Sequence, residues 1–170
     1  MARITFKGQT IHTAGELPRV GAPAPAFKLA AADLSDVGLE KFAGKAAALN
    51  IVPSLDTSVC ALSARRFNAE AAALKDAVIV NISADLPFAQ KRFCDAEKLA
   101  HVHNLSVFRS PAFGRDYGVV ITDGPLAGLL SRAVIVVDRR GIVVYTEQVP
   151  EIAQEPDCAA ALAALHRAAT

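Results

Sequence analysis

The sequence predicts an α/β domain with a central mixed sheet flanked by helices, and three observations carry that prediction. Apolar runs at Ala46 to Val52, Ala77 to Ile82 and Ala133 to Val137 read as central strands buried on both faces. Between the first two, the stretch Val59 to Lys75 sets Phe67, Ala71 and Leu74 at i, i+4 and i+7, the stripe of a helix lying on a sheet. Later, Asp138-Arg139-Arg140-Gly141 separates the Ala133 run from Ile142 to Tyr145, a turn that brings the next strand back antiparallel. A β-α-β unit followed by an antiparallel return makes the sheet mixed.

The remaining elements follow in chain order. Ile4 to Phe6 and Thr10 to His12 flank Lys7-Gly8-Gln9 as a small hairpin within residues 1–15, ahead of the main fold. Gly21 to Phe27 is extended and broken by Pro23 and Pro25, while Asp33 to Gly44 mixes turn residues with a short helical pattern around Leu39 and Phe42. A second helix starts at Pro87, whose ring suits a first-turn position, and runs to about Ala100; a third covers about Pro156 to Ala168. With no repeat, low-complexity tract or linker, residues 1–170 read as a single domain, long enough to bury a core without disulfide staples.

Composition narrows the function classes. Hydrophobic residues make up 52% and charged residues 21%, which argues against disorder. A net charge of +1 gives no attraction to nucleic acid or an anionic membrane. No stretch approaches the roughly 18 apolar residues of a membrane span, and Met1 to Lys7 lacks an apolar signal core, so a cytoplasmic location is expected. Three cysteines, an odd number, speak against a secreted disulfide framework and for thiols kept reduced until used.

Attention then falls on each cysteine's surroundings. Cys60 follows Pro53-Ser54-Leu55-Asp56-Thr57-Ser58-Val59, just past the carboxyl end of the first core strand and in the first turn of the next helix. In open α/β sheets that edge binds ligands. Unpaired N–H groups and the positive end of the helix dipole there favour a thiolate. On residue type alone, Cys60 is equally a small buried hydrophobe. Thr57 can set a hydroxyl near the sulfur and Pro53 can fix the loop, although a cap and a turn explain each residue by itself.

The run P-S-L-D-T-S-V-C resembles the peroxiredoxin motif of Pro, three residues, Thr, two residues, Cys. Gly21 to Phe27, Leu49 to Val52 and Ser131-Arg132-Ala133 are similar to that family's opening segment, first core strand and active-site arginine position. The N-terminal hairpin, Ile82 to Cys94 and Phe108 to Gly114 resemble the bacterial thiol peroxidase branch, the atypical 2-Cys peroxiredoxins. One departure is Val52, where many members of the branch carry an aromatic residue.

The resemblance implies a thioredoxin-like fold, a homodimer, and reduction of hydrogen peroxide and organic hydroperoxides with recycling by thioredoxin and no cofactor or metal. It implies that Cys60 attacks the peroxide and becomes a sulfenic acid, and that Arg132 holds the peroxide oxygens with Thr57 as a hydroxyl relay. It places Pro53 beside the substrate and makes Cys94 the thiol that closes a disulfide with Cys60; local unwinding of the Cys60 helix, the Cys94 helix or both is our expectation for how that bond forms. Without the resemblance, Arg132 reads as a surface ion-pair former. Cys158, Leu162 and Leu165 stand at i, i+4 and i+7, so Cys158 is expected to pack in the core.

Other features weigh less. His101 and His103 lack a third metal ligand and suit a solvated loop, and Gly124 to Gly128 reads as a turn because a phosphate loop's Lys and Ser/Thr ending is missing. Two rival readings stand. Cys60-Ala61-Leu62-Ser63 has the C-x-x-S spacing of a thioredoxin- or glutaredoxin-like disulfide oxidoreductase. A binding protein on an α/β scaffold is the other, and it has no physical reason to assemble Thr57, Cys60, Cys94 and Arg132.

Overall fold

A computed structural model describes residues 1–170. The three apolar runs form strands β5 (Ala46–Ile51), β6 (Ala77–Ser83) and β8 (Ala133–Val137), which lie side by side at the centre of a seven-stranded sheet. The others are β3 (Leu29–Ala30), β4 (Asp36–Val37), β7 (His103–Ser106) and β9 (Val143–Gln148), in the order β4-β3-β7-β6-β5-β8-β9. Strand β5 pairs parallel with β6 and antiparallel with β8, and β8 returns antiparallel to β9, so the sheet is mixed as the turn at Asp138 to Gly141 predicts.

The two-residue period of the strands separates two cores. Leu49 and Ile51 face one side, with Phe27, Phe113 and Tyr117, where the Tyr117 hydroxyl donates to the Pro25 carbonyl at 2.7 Å. Ala46 and Ala48 face the other, and their small side chains admit Phe67 of α1 (Ser58–Ala71) and Ala161 and Leu165 of α4 (Cys158–Ala169). Burying each large apolar side chain stabilises the fold by about 1.5–3 kcal/mol. Cys158 belongs to this second core, as its spacing predicts, and is 4% exposed.

Several boundaries differ from expectation for local reasons. Helix α1 ends at Ala71, before Lys75, because the chain tightens into three-residue turns at Ala73 and Leu74. Helix α2 (Pro87–Glu97) stops short of Ala100: Lys98 takes a left-handed conformation (φ 57°), and the Leu99 amide donates to the Cys94 carbonyl. Asp157 caps α4 by accepting from the Ala160 amide at 2.9 Å, so that helix begins at Cys158. His103 opens β7 instead of lying in a loop, and the short helix α3 (Ala112–Asp116) has too few residues for a periodic signature.

The hairpin of β1 (Arg3–Phe6) and β2 (Gln9–His12) forms where expected and packs onto the domain. Ile4 and Ile11 bury against Ile121 and Ile152. The Glu151 carboxylate accepts from the Thr5 hydroxyl at 2.8 Å and from the Lys7 and Gly8 amides at 3.2 Å. These bonds hold the carboxyl down at about 2. Nowhere is a helix long and apolar enough to cross a membrane.

Candidate active site

Past β5 the chain passes through buried Val52 and Pro53 into the loop that rises to α1. Asp85, just beyond β6, fastens that loop: its carboxylate accepts from the Ser54 hydroxyl (2.7 Å), the Leu55 amide (2.8 Å) and the Ser83 hydroxyl (2.7 Å). Thr57 is the extended N-cap residue of α1. Its hydroxyl is turned to the Ser54 carbonyl at 3.2 Å, neither capping the helix nor bonding the sulfur as its spacing suggests.

Cys60 is the third residue of α1 and has no exposed surface. On its sulfur sits Arg132, 3% exposed, from the residue before β8. Its Nη1 donates to Cys60 Sγ at 3.0 Å and its Nε to the Ile152 carbonyl at 2.9 Å. The Arg132 carbonyl accepts from the Val149 amide and the Gln148 side chain, both at 3.0 Å, so backbone and side chain are both held. A surface ion pair is therefore not its role: it is buried and no carboxylate lies within ion-pair distance. Arg132 thus sets a charged hydrogen-bond donor directly on the Cys60 sulfur.

Cys94 shares an apolar cluster with Cys60, formed with Val52, Leu55, Ala64 and Leu99, and all three cysteines are free thiols. Burial pushes the Cys94 thiol up from its ordinary value, opposed by a hydrogen bond from Asn104 Nδ2 to its sulfur at 3.0 Å. An ion pair between Arg65 Nε and Glu97 Oε2 at 2.6 Å ties α1 to α2. Between these helices opens a cleft of about 540 Å³, lined by Thr57, Ser58 and Ala61 on one side and Ala89, Phe93 and Ala96 on the other.

Two weaker sequence features separate from this site. The Ser63 hydroxyl donates to the Cys60 carbonyl at 3.1 Å, away from the sulfur, which removes the contact that a C-x-x-S redox pair would use. His101 and His103 join no group of three side chains able to hold a metal ion. Sequence reasoning missed Asp85, Asn104 and the Ile152 carbonyl. Asp85 left a usable signal, a charged residue directly after the Ala77 strand, whereas a backbone carbonyl leaves none.

Sheet order and known proteins together define the class. The chain belongs to the Redoxin family, whose model matches residues 19–162, and it is a peroxiredoxin-type oxidoreductase on a thioredoxin-like fold. Within that class it is 57% identical over 165 residues to the thiol peroxidases of Mycobacterium tuberculosis and Mycobacterium bovis, covering 97% of this chain and 99% of theirs. Its function is that of a peroxidase. Among solved structures, a peroxiredoxin-like protein from Aquifex aeolicus superposes with a TM-score of 0.92 at 34% identity, covering 98% of this chain and 97% of that one. Thiol peroxidase from Chromobacterium violaceum gives 0.89 at 25% identity, with 97% and 95% covered.

Proposed function

We propose that this peroxidase reduces hydrogen peroxide and organic hydroperoxides with Cys60 as nucleophile and Cys94 as resolving thiol. One observation carries the reading: a buried guanidinium donates to the Cys60 sulfur at 3.0 Å with no competing carboxylate. The Cys60 thiolate attacks one peroxide oxygen, the O–O bond breaks, and the other oxygen leaves as alcohol or water after taking a proton. Arg132 stabilises the charge moving along that bond. Thr57 serves as a hydroxyl relay once its bond to the Ser54 carbonyl is exchanged for one to substrate, and Pro53 walls the loop side.

The Cys60 sulfenic acid then meets Cys94, forming a disulfide and releasing water before a second peroxide drives it to sulfinic acid. Both sulfurs are buried and hydrogen-bonded elsewhere, which supports a step in which α1, α2 or both unwind locally to form the bond. A dithiol protein of the thioredoxin class returns the enzyme to the reduced state, and the working form is a homodimer.

The test is to add one equivalent of an organic hydroperoxide to the reduced protein and map disulfides by peptide mass spectrometry without reductant. A Cys60–Cys94 link within one chain is expected; three unreacted thiols would refute the reading. A disulfide reductase would instead reduce protein disulfides with no hydroperoxide present, which a coupled assay measures.

A further inference from the structure

Two asparagines interrupt the apolar runs of the central strands. Asn50 in β5 and Asn81 in β6 have no exposed surface, yet they occupy positions where parallel strands carry apolar side chains. Register explains them, because Asn50 lies opposite Asn81 and Asn81 opposite Asn104 of β7. The amides form a ladder across three strands: Asn50 Nδ2 donates to Asn81 Oδ1 at 2.8 Å, and Asn81 Nδ2 to Asn104 Oδ1 at 3.2 Å. Asn104 Nδ2 donates to the Cys94 sulfur at 3.0 Å.

The ladder has a direction. Every donor end points toward Cys94, and within the ladder the unpartnered buried atom is Asn50 Oδ1, the acceptor at the far end. Buried amides are destabilising unless bonded, and a chain of bonds running one way polarises each member toward the last acceptor. The feature it serves is the sulfur.

We propose that Asn104, braced by Asn81 and Asn50, is a positioning residue for the resolution step: its amide fixes the Cys94 sulfur and stabilises the anion that attacks the Cys60 sulfenic acid. The inference rests on the reading of Cys94 as the resolving thiol. In that step the Cys94 sulfur bonds to the Cys60 sulfur, the S–O bond breaks, and the oxygen leaves as hydroxide that takes up a proton to become water. No outside oxidant or reductant is needed. Because resolution competes with a second hydroperoxide for the same sulfenic acid, Asn104 also governs how readily Cys60 is over-oxidised.

The experiment uses the full chain with Asn104→Leu, and with Asn104→Asp, which keeps the shape but loses the donor. Rapid quenching and peptide mass spectrometry follow sulfenic acid formation and disulfide formation separately. Expected are sulfenic acid formation within about twofold of the parent and disulfide formation about 3–10-fold slower at pH 7, the scale of one lost hydrogen bond. The pH profile of resolution should move to higher pH, and the sulfinic acid fraction at fixed hydroperoxide should rise by the same factor. Parent-like resolution and pH profile in either folded variant, or faster resolution, would overturn the role of Asn104. Cys94→Ser separates the two readings. If Cys60 still forms the parent disulfide pattern there, the assignment of Cys94 fails; if the disulfide is lost while both Asn104 variants resolve normally, the role of Asn104 alone falls.

Discussion

Replacing Arg132 by leucine removes the one side-chain donor on the Cys60 sulfur while keeping a bulky side chain in the buried space. A hydrogen bond to a charged partner contributes about 1.5–3 kcal/mol. At about 1.4 kcal/mol per tenfold in rate, sulfenic acid formation should slow by about 10–150-fold if the bond is at full strength in the transition state. Stability falls for a separate reason: the Ile152 carbonyl loses its Nε donor, at about 1–3 kcal/mol, while the bonds that the carbonyl at position 132 accepts from the Val149 amide and the Gln148 side chain survive. Arg132→Lys keeps the charge but cannot span sulfur and carbonyl with one planar fork, so an intermediate loss is expected. The assay is stopped-flow consumption of hydroperoxide by the reduced protein in a single turnover, beside a thermal melt. A folded Arg132→Leu variant that consumes hydroperoxide at the parent rate would refute the assignment.

Cys158→Ser should leave turnover within about twofold while lowering stability by about 1–3 kcal/mol, because a hydroxyl replaces a thiol in an apolar cluster; lost turnover in a folded variant would make Cys158 catalytic. Glu151 gives a pH dependence: its folded-state value of about 2 lies below the ordinary 4.5, so its hold on the hairpin is complete above about pH 4.5 and fades as pH falls toward 2. Amide shifts of Lys7 and Gly8 should titrate with a midpoint near 2, and a midpoint near 4.5 would show that the carboxylate does not anchor them. Gly118→Ala should lower the thermal midpoint by about 4–8 °C, from about 2 kcal/mol of strain. Its φ is +69° and an added Cβ would lie 2.2 Å from the Glu16 carbonyl oxygen, so an unchanged midpoint would count against that strain.

The central strands were legible because Ala133–Val137 is apolar without interruption and Ala46–Ile51 is broken only by Asn50, a pattern that burial on both faces requires. Helix α1 was legible through Phe67, and the placement of Cys60 followed from where β5 had to end. Strand β7 escaped because His103-Asn104-Leu105-Ser106 shows no apolar alternation, its polar side chains being spent on the Asn81, Cys94 and Asp85 contacts. The Arg132–Cys60 contact came only through the family resemblance, since a sequence separation of 72 carries no local signal of a meeting across the sheet. The Thr57 hydroxyl shows the limit of spacing arguments: three residues from Cys60 along the chain, it turns instead to the carbonyl three residues behind it.

The two cysteines share one apolar cluster but are held by networks that do not meet. Arg132 reaches Cys60 from the β8 side, and its Nε rests on Ile152, whose amide donates to Thr5 of the N-terminal hairpin. The Cys94 sulfur is held from the other direction, by amides running through β5, β6 and β7. A perturbation of the hairpin should therefore reach the peroxide step through Arg132 and leave resolution alone, whereas a break in the amide ladder should do the reverse. Energetic coupling between groups without shared partners is small, within about 0.5 kcal/mol, so the two kinds of variant should combine multiplicatively. That separation has a chemical use. On the proposed cycle, unwinding of α2 would release Cys94 toward Cys60 while the guanidinium stays on the Cys60 sulfur, because the two thiols are anchored to different parts of the fold.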